Sequence, residues 1–300
     1  MRTTRQIEIR RCRPLLGTFV EIAISGSGAA CLKRAIDAAF AAIEQVHRLM
    51  SFHDPHSDVS RMNRDAFPKS VIVHPWTRKV LEAAQRLARE SNGVFDIAVA
   101  RLLAKRGYLP TPEYQPDHAA TWRDIFLRKH GRVFFRRQLA IDLGGIAKGF
   151  AVDRAVDVLK YNGIGSGIVN AGGDLRVFGP ESQLVHVRHP AQPSRAASAV
   201  RLRDRAMATS AIYFSRRKSG GHNVSPILDG RTGRATRDFM SVTVGAADCM
   251  TADALTKIVF ALREQAAPLL ARYSADAFLL EQNGVPSWMF HPTCHASRQT

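Results

Sequence analysis

Residues Ile141–Asp153, IDLGGIAKGFAVD, constrain the chain most. An apolar strand ending runs into an aspartate, two glycines, a lysine and a third glycine at a predicted helix start. Glycines between a strand and a helix let the backbone approach something closely. The free N–H groups of the helix start make that turn a favourable place for an anion. Lys148, in the first turn, adds a full positive charge. The spacing is neither that of a Walker loop nor that of a Rossmann fingerprint.

Elements of both kinds surround this junction. RPLLGTFVEIAISG alternates like a hairpin arm. CLKRAIDAAFAAIEQVHRLMS places Leu32, Ile36, Ala39, Phe40, Ile43, Val46 and Met50 at helical spacing. SFHDPHSDVSRMN reads as a polar loop with a capping-type Ser57–Ser60 region, and TRKVLEAAQRLARESNG as a helix stopped at Asn92-Gly93. IFLRKHGRVFFRRQLAIDLGG predicts two strands around His130-Gly131. The helix from the glycine turn ends at Asn162-Gly163, and strands with a final helix follow. Intermixed strands and helices indicate an α/β chain of mixed α+β type. With 300 residues, 45% of them hydrophobic, it is expected to form one domain over residues 1–292, as one body or two packed lobes, with a loose tail at 293–300.

Three more segments concentrate Gly, Asp, Ser and Thr. NAGGDLRVFG carries Gly-Gly inside a strand pattern, which marks a bulge or a ligand approach. HNVSPILDGRTGRAT frames a tight turn with Asp229 and Arg231. In CMTADALTK, Thr251 reads as an N-cap, Asp253 falls in the first helical turn, and Thr256 lies on the same face. A carboxylate beside a hydroxyl suits Mg²⁺, a cation that prefers hard oxygen ligands.

The net charge of +17 attracts anions. The basic residues are scattered, and no helix-turn-helix, RNA-reading strand or zinc spacing accompanies them, so a basic nucleic-acid-binding protein is only a minor alternative reading. The four cysteines form no CxxC pair and fit reduced thiols. No signal-peptide stretch, lipoprotein site or transmembrane run is seen, which makes the cytoplasm the expected compartment.

Taken in order, these segments resemble the ApbE family, the FAD:protein FMN transferases. LLGTFVEI, MSFHDPHSDVSRMN, VFDIAV, IDLGGIAKGFAVD with NAGGDLRVFG, ATSAIYF, SPILDGRTG and SVTVGAADCMTADAL carry the resemblance, from about Arg13 to about Leu262. It implies a two-lobed fold with the flavin site between the lobes. It also implies Mg²⁺-dependent cleavage of the FAD pyrophosphate, with FMN attached to a Thr or Ser of an acceptor protein and AMP released. Residue by residue, it implies Asp253, the Ala147 carbonyl and Thr256 as metal ligands, and Lys148 beside the phosphates. Asp142 and Gly145 line the same turn. Leu16, Ser51, Phe52, His53, Phe95, Asp96 and Ile97 fall at flavin-side positions.

Two departures stand out. Lys257 occupies the position, four residues after the aspartate, where the family carries Thr or Ser. It leaves either Thr256 as the hydroxyl ligand or Lys257 displacing the metal with its own charge. Pro226 occupies the position of a histidine implicated in transfer, which turns attention to His222, four residues earlier, and to His53. A second reading is therefore a FAD-binding or FAD-hydrolysing relative that does not flavinylate protein.

Overall fold

A computed structural model describes residues 6–189, 192–211, 217–219, 222–236, 239–281 and 285–289. Its first hairpin joins β1 (Ile7–Leu15) to β2 (Thr18–Gly26) through Leu16 and Gly17. Both turn residues have positive φ, 56° and 70°; two left-handed residues match the twist of a tight hairpin. The long amphipathic helix α1 (Ala29–Met50) follows. The stretch read as a polar loop is a loop that turns into helix α2 (Asp58–Asp65), started by Ser57, whose hydroxyl accepts the Ser60 N–H at 3.0 Å. Next come β3 (Ser70–Ile72), α3 (Pro75–Glu90) and α4 (Ala100–Lys105). β4 (Ile125–Leu127) and β5 (Arg132–Phe135) flank the expected turn at His130-Gly131 and join β3 in a small sheet of order β3-β5-β4.

After the glycine turn, helix α5 (Ala147–Tyr161) leads to β6 (Ser166–Ala171) and β7 (Asp174–Phe178). Gly172-Gly173 is not a break within one strand. It is the two-residue turn of a β6–β7 hairpin, with φ of 66° and 109°. Strands β8 (Gln183–His189) and β9 (Gln192–Leu202) form a separate ribbon, followed by β10 (Arg205–Ala211). The short pair β11 (Arg217–Ser219) and β12 (His222–Val224) precedes β13 (Phe239–Ala246). Helices α6 (Cys249–Leu262) and α7 (Ala267–Arg272) lead to β14 (Asp276–Glu281) and β15 (Pro286–Met289). The tail expected at 293–300, and Ile212–Phe214 of the ATSAIYF segment, lie outside the described residues.

Eight strands make one sheet in the order β1-β2-β6-β7-β10-β13-β14-β15, each neighbour antiparallel. The α+β reading holds, with the helices gathered on one face. Phe40, Phe150 and Phe260, one each from α1, α5 and α6, are fully buried in a core shared with Val169, Phe178 and Val244 of the sheet. The opposite face meets the ribbon through Leu175, Val177, Val187, Leu202 and Met207. Strand periodicity divides β7 between the two: Leu175 and Val177 face the ribbon, while Asp174, Arg176 and Phe178 face the helices.

The segment before the glycine turn is not a strand. The Asn63 side chain stands in for a neighbouring strand, taking the Ile141 N–H at 2.8 Å and giving a hydrogen bond to the Ile141 carbonyl at 3.0 Å. The Asp142 N–H goes to the Ile97 carbonyl at 2.9 Å. Among the described residues, no helix is long and apolar enough to cross a membrane.

Candidate active site

The start of α5 has no side-chain cap of its own at Ile146. The Gly149 N–H instead donates to Asp253 Oδ2 at 3.2 Å, so a carboxylate from α6 neutralises the helix start. Gly149 makes this possible by its size. A Cβ there would lie 2.2 Å from the Cys249 carbonyl oxygen, so α5 and α6 touch backbone to backbone. Gly145, by contrast, faces Phe95 and the Lys257 stem at ordinary contact distances.

Asp153 fixes α6 against α5. Its carboxylate accepts the N–H groups of Cys249 and Met250 at 2.9 and 2.8 Å and pairs with Arg176 at 2.8 Å. Burial pushes its pKa up to about 6, against the opposing pull of Arg176 and the two N–H groups. The α6 N-cap is Asp248, whose carboxylate accepts the Thr251 N–H at 2.8 Å. Thr251 is therefore inside the helix rather than capping it, and Asp253 falls one turn in.

Two lysines meet two buried carboxylates beside this junction. Lys148 pairs with Asp174, and Lys257 pairs with Asp253. Asp253 is fully buried and Asp174 nearly so. Burial alone would raise the Asp253 pKa, but Lys257 and Lys148 outweigh it and hold the carboxyl below its usual range. For Asp174, burial and the neighbouring Asp253 outweigh the two lysines and raise it. Burial would lower the Lys148 pKa; Asp174 and Asp253 overcome it and raise it. All four groups sit between the sheet and the α5–α6 junction, and both lysines line one cleft.

That cleft has a volume of about 1360 Å³, beyond the roughly 300–1,000 Å³ usual for drug-sized ligands. Leu16, Ser51, Phe52 and His53 line it. So do Phe95, Asp96, Ile97, Asp142, Gly145, Ala147 and Lys148. Asp96 also clamps the local chain, accepting from Ala98 N at 2.7 Å and Trp122 N at 3.2 Å. The SPILDGRTG turn docks on the same segment through the Gly230 N–H and the Val94 carbonyl, 2.9 Å apart. Pro226 lines the cleft, and His222 begins strand β12, its backbone in register with Ser219.

Thr256 takes a different position from Lys257. Its hydroxyl donates to the Asp253 carbonyl at 2.7 Å and meets Ser210 Oγ at 2.7 Å, and the residue is fully buried. Asp174 and Asp153 matter here and are given no role by the sequence patterns, and His186 is a further cleft-lining residue. An aspartate directly after Gly172-Gly173 was the available signal for Asp174.

The donor set expected for magnesium does not fit a divalent cation as it stands. Both Asp253 carboxylate oxygens already accept, Oδ1 from Lys257 and Oδ2 from Gly149. The Thr256 hydroxyl donates to the Asp253 carbonyl, its oxygen meets Ser210 Oγ at 2.7 Å, and the residue is fully buried, so it does not present a ligand to the cleft. Among the described residues, no three His, Cys, Asp or Glu side chains come together as a metal cage.

The ApbE family matches residues 16–279. The chain is 29% identical over 241 residues to a FAD:protein FMN transferase of Vibrio cholerae, spanning 74% of this chain and 72% of that one. It is 26% identical over 305 residues to a FAD:protein FMN transferase of Treponema pallidum, spanning 91% and 84%. Among solved structures it resembles the ApbE protein of Thermotoga maritima, with a TM-score of 0.84, 27% identity and coverage of 94% and 96%. With a match running from the first hairpin turn to β14, and the cleft built from the same segments, the chain belongs to the ApbE family.

Proposed function

We propose that this protein is a FAD:protein FMN transferase. One observation carries the reading: a single cleft of dinucleotide size gathers Lys148 and every expected flavin-side residue. Phe52 and Phe95 offer apolar surface for an isoalloxazine ring, and Lys148 a charge for the pyrophosphate. The hydroxyl oxygen of an acceptor Thr or Ser attacks the FMN-side phosphorus and forms a new P–O bond. The bond from that phosphorus to the bridging oxygen breaks, and its electron pair leaves with AMP. The hydroxyl proton passes to a base. His53 lines the cleft together with Asp142, so we assign it this role in preference to His222.

Positioning and charge stabilisation dominate phosphoryl-type transfer. Asp174 holds the Lys148 ammonium at the cleft wall, and Asp253 ties the α5 start to α6. The expected magnesium is the point at which this chain's residues disagree with the resemblance, and no step is assigned to it. Free Cys12, Cys31 and Cys249 are compatible with the reducing cytoplasm expected from the sequence.

The test incubates purified protein with FAD and a host lysate. AMP and FMN are followed by chromatography, and covalent flavin by in-gel fluorescence. Transfer predicts AMP release with a fluorescent band on an acceptor protein. AMP with free FMN and no band would favour hydrolysis. Retained FAD without AMP would favour a flavin-holding role.

A further inference from the structure

The cation beside Asp253 belongs to the chain itself. Lys257 lies one helical turn after Asp253 on α6, and its ammonium reaches both Asp253 Oδ1 and, at 2.9 Å, the Asp253 carbonyl. Its stem passes over Gly145, with Cε 3.6 Å from where a Cβ would sit, which brings the charge to the turn in front of α5. Asp142, Asp174 and Asp253 all feel this one ammonium. Lys257 lines the cleft, whereas the Thr256 hydroxyl is sealed against Ser210 and its own helix.

We infer that Lys257 is a resident cation that takes the place of a divalent metal at Asp253, so that the cleft handles a dinucleotide pyrophosphate without metal at that carboxylate. The inference rests on the reading of the cleft as a FAD site. An ammonium brings one charge and three N–H donors; with two given to Asp253, the third is left to meet a phosphate oxygen. It is not removed by chelators. A divalent ion would need Asp253 as an oxygen ligand, and the Lys257 ammonium already sits on Oδ1, where its charge would repel that ion, while Oδ2 takes the Gly149 N–H. A hydroxyl at position 257 in place of the ammonium would free one carboxylate oxygen and supply a second hard ligand.

Mn²⁺ serves as the probe, because the electron paramagnetic resonance signal of the free ion reports binding without any turnover. Wild-type protein without FAD is expected to leave the free Mn²⁺ signal undiminished at equimolar and tenfold excess protein. Lys257→Thr is expected to deplete it with one site per chain, and the double variant Lys257→Thr/Asp253→Asn to lose that site. In parallel, FAD binding by fluorescence quenching should change less than twofold between EDTA and Mg²⁺ for wild type. For Lys257→Thr it should tighten at least tenfold with Mg²⁺. One Mn²⁺ taken up per wild-type chain through Asp253 overturns the inference, even if Lys257→Thr fails to fold. So does a folded Lys257→Thr variant that gains no site. A wild-type chain that binds no FAD defeats the functional reading, while the FAD-free Mn²⁺ measurement still decides the role of Lys257.

Discussion

The Asp253 carboxylate caps the start of α5 through the Gly149 N–H, 3.2 Å away, and so locks together two segments 104 residues apart. The lock depends on the absence of a side chain at Gly149. Replacing a glycine inside a helix by alanine ordinarily stabilises by about 1 kcal/mol. Here the new Cβ would sit 2.2 Å from a backbone oxygen, and overpacking of this kind costs typically about 1–3 kcal/mol. The clash wins. Gly149→Ala should lower the urea midpoint and weaken FAD binding together. A higher midpoint would show that the α5–α6 contact yields at no cost.

Lys148 and Asp174 serve stability and binding at once, and the two can be separated. Lys148→Met strands a buried carboxylate, and removing one partner of a buried pair costs about 3–5 kcal/mol at full burial. Lys148 keeps about a third of its side chain exposed, so a loss nearer ~2 kcal/mol is expected after solvent screening. Lys148→Met/Asp174→Asn should recover much of that loss in a denaturant titration. Neither variant should recover FAD affinity, since a lost charge-assisted phosphate contact is worth roughly tenfold or more. Full FAD affinity in the double variant would remove Lys148 from the phosphate site.

Much of this was readable in the chain, because hairpin turns, helix stops and amphipathic stripes are local. Asn92-Gly93 and Asn162-Gly163 end α3 and α5 where composition places them. The pairing of Lys257 with Asp253 follows from i,i+4 spacing. What stayed hidden were side chains doing backbone work across long separations. Asn63 replaces a strand beside Ile141, and Asp153 caps a helix that starts 96 residues later. Neither leaves a pattern in its own neighbourhood. The Gly172-Gly173 hairpin was obscured because the alternation of β6 and β7 continues across it, and only the register of Ala171 with Asp174 distinguishes a turn from a bulge.

Asp96 gives the cleft a pH signature. Burial raises its pKa to about 6, against the N–H groups of Ala98 and Trp122 and the charge of Arg123, whereas an unfolded aspartate titrates near 3.9. Between those values the folded chain binds the extra proton. The favourable contribution of Asp96 is therefore complete below about pH 4 and is lost as pH rises through about 6. Asp96→Asn has no such titration. The stability of wild type relative to Asp96→Asn, measured by chemical denaturation, should fall between pH 4 and pH 7. A constant difference across that range would mean that Asp96 titrates alike in both states.

His53 carries the prediction on which the transfer step turns. Pro226 lines the cleft and has no proton to exchange, while His53 lines it together with Asp142. An imidazole within reach of the acceptor hydroxyl can take its proton as the new P–O bond forms. Loss of such a base typically costs about 10²–10⁴-fold. His53→Gln should lower the rate of FMN transfer by roughly 100-fold, with FAD affinity essentially retained. His222→Gln should transfer at the wild-type rate. The reverse pattern, with His222→Gln slow and His53→Gln normal, would move the base to strand β12. Equal loss of FAD affinity and rate in His53→Gln would make His53 a binding residue only.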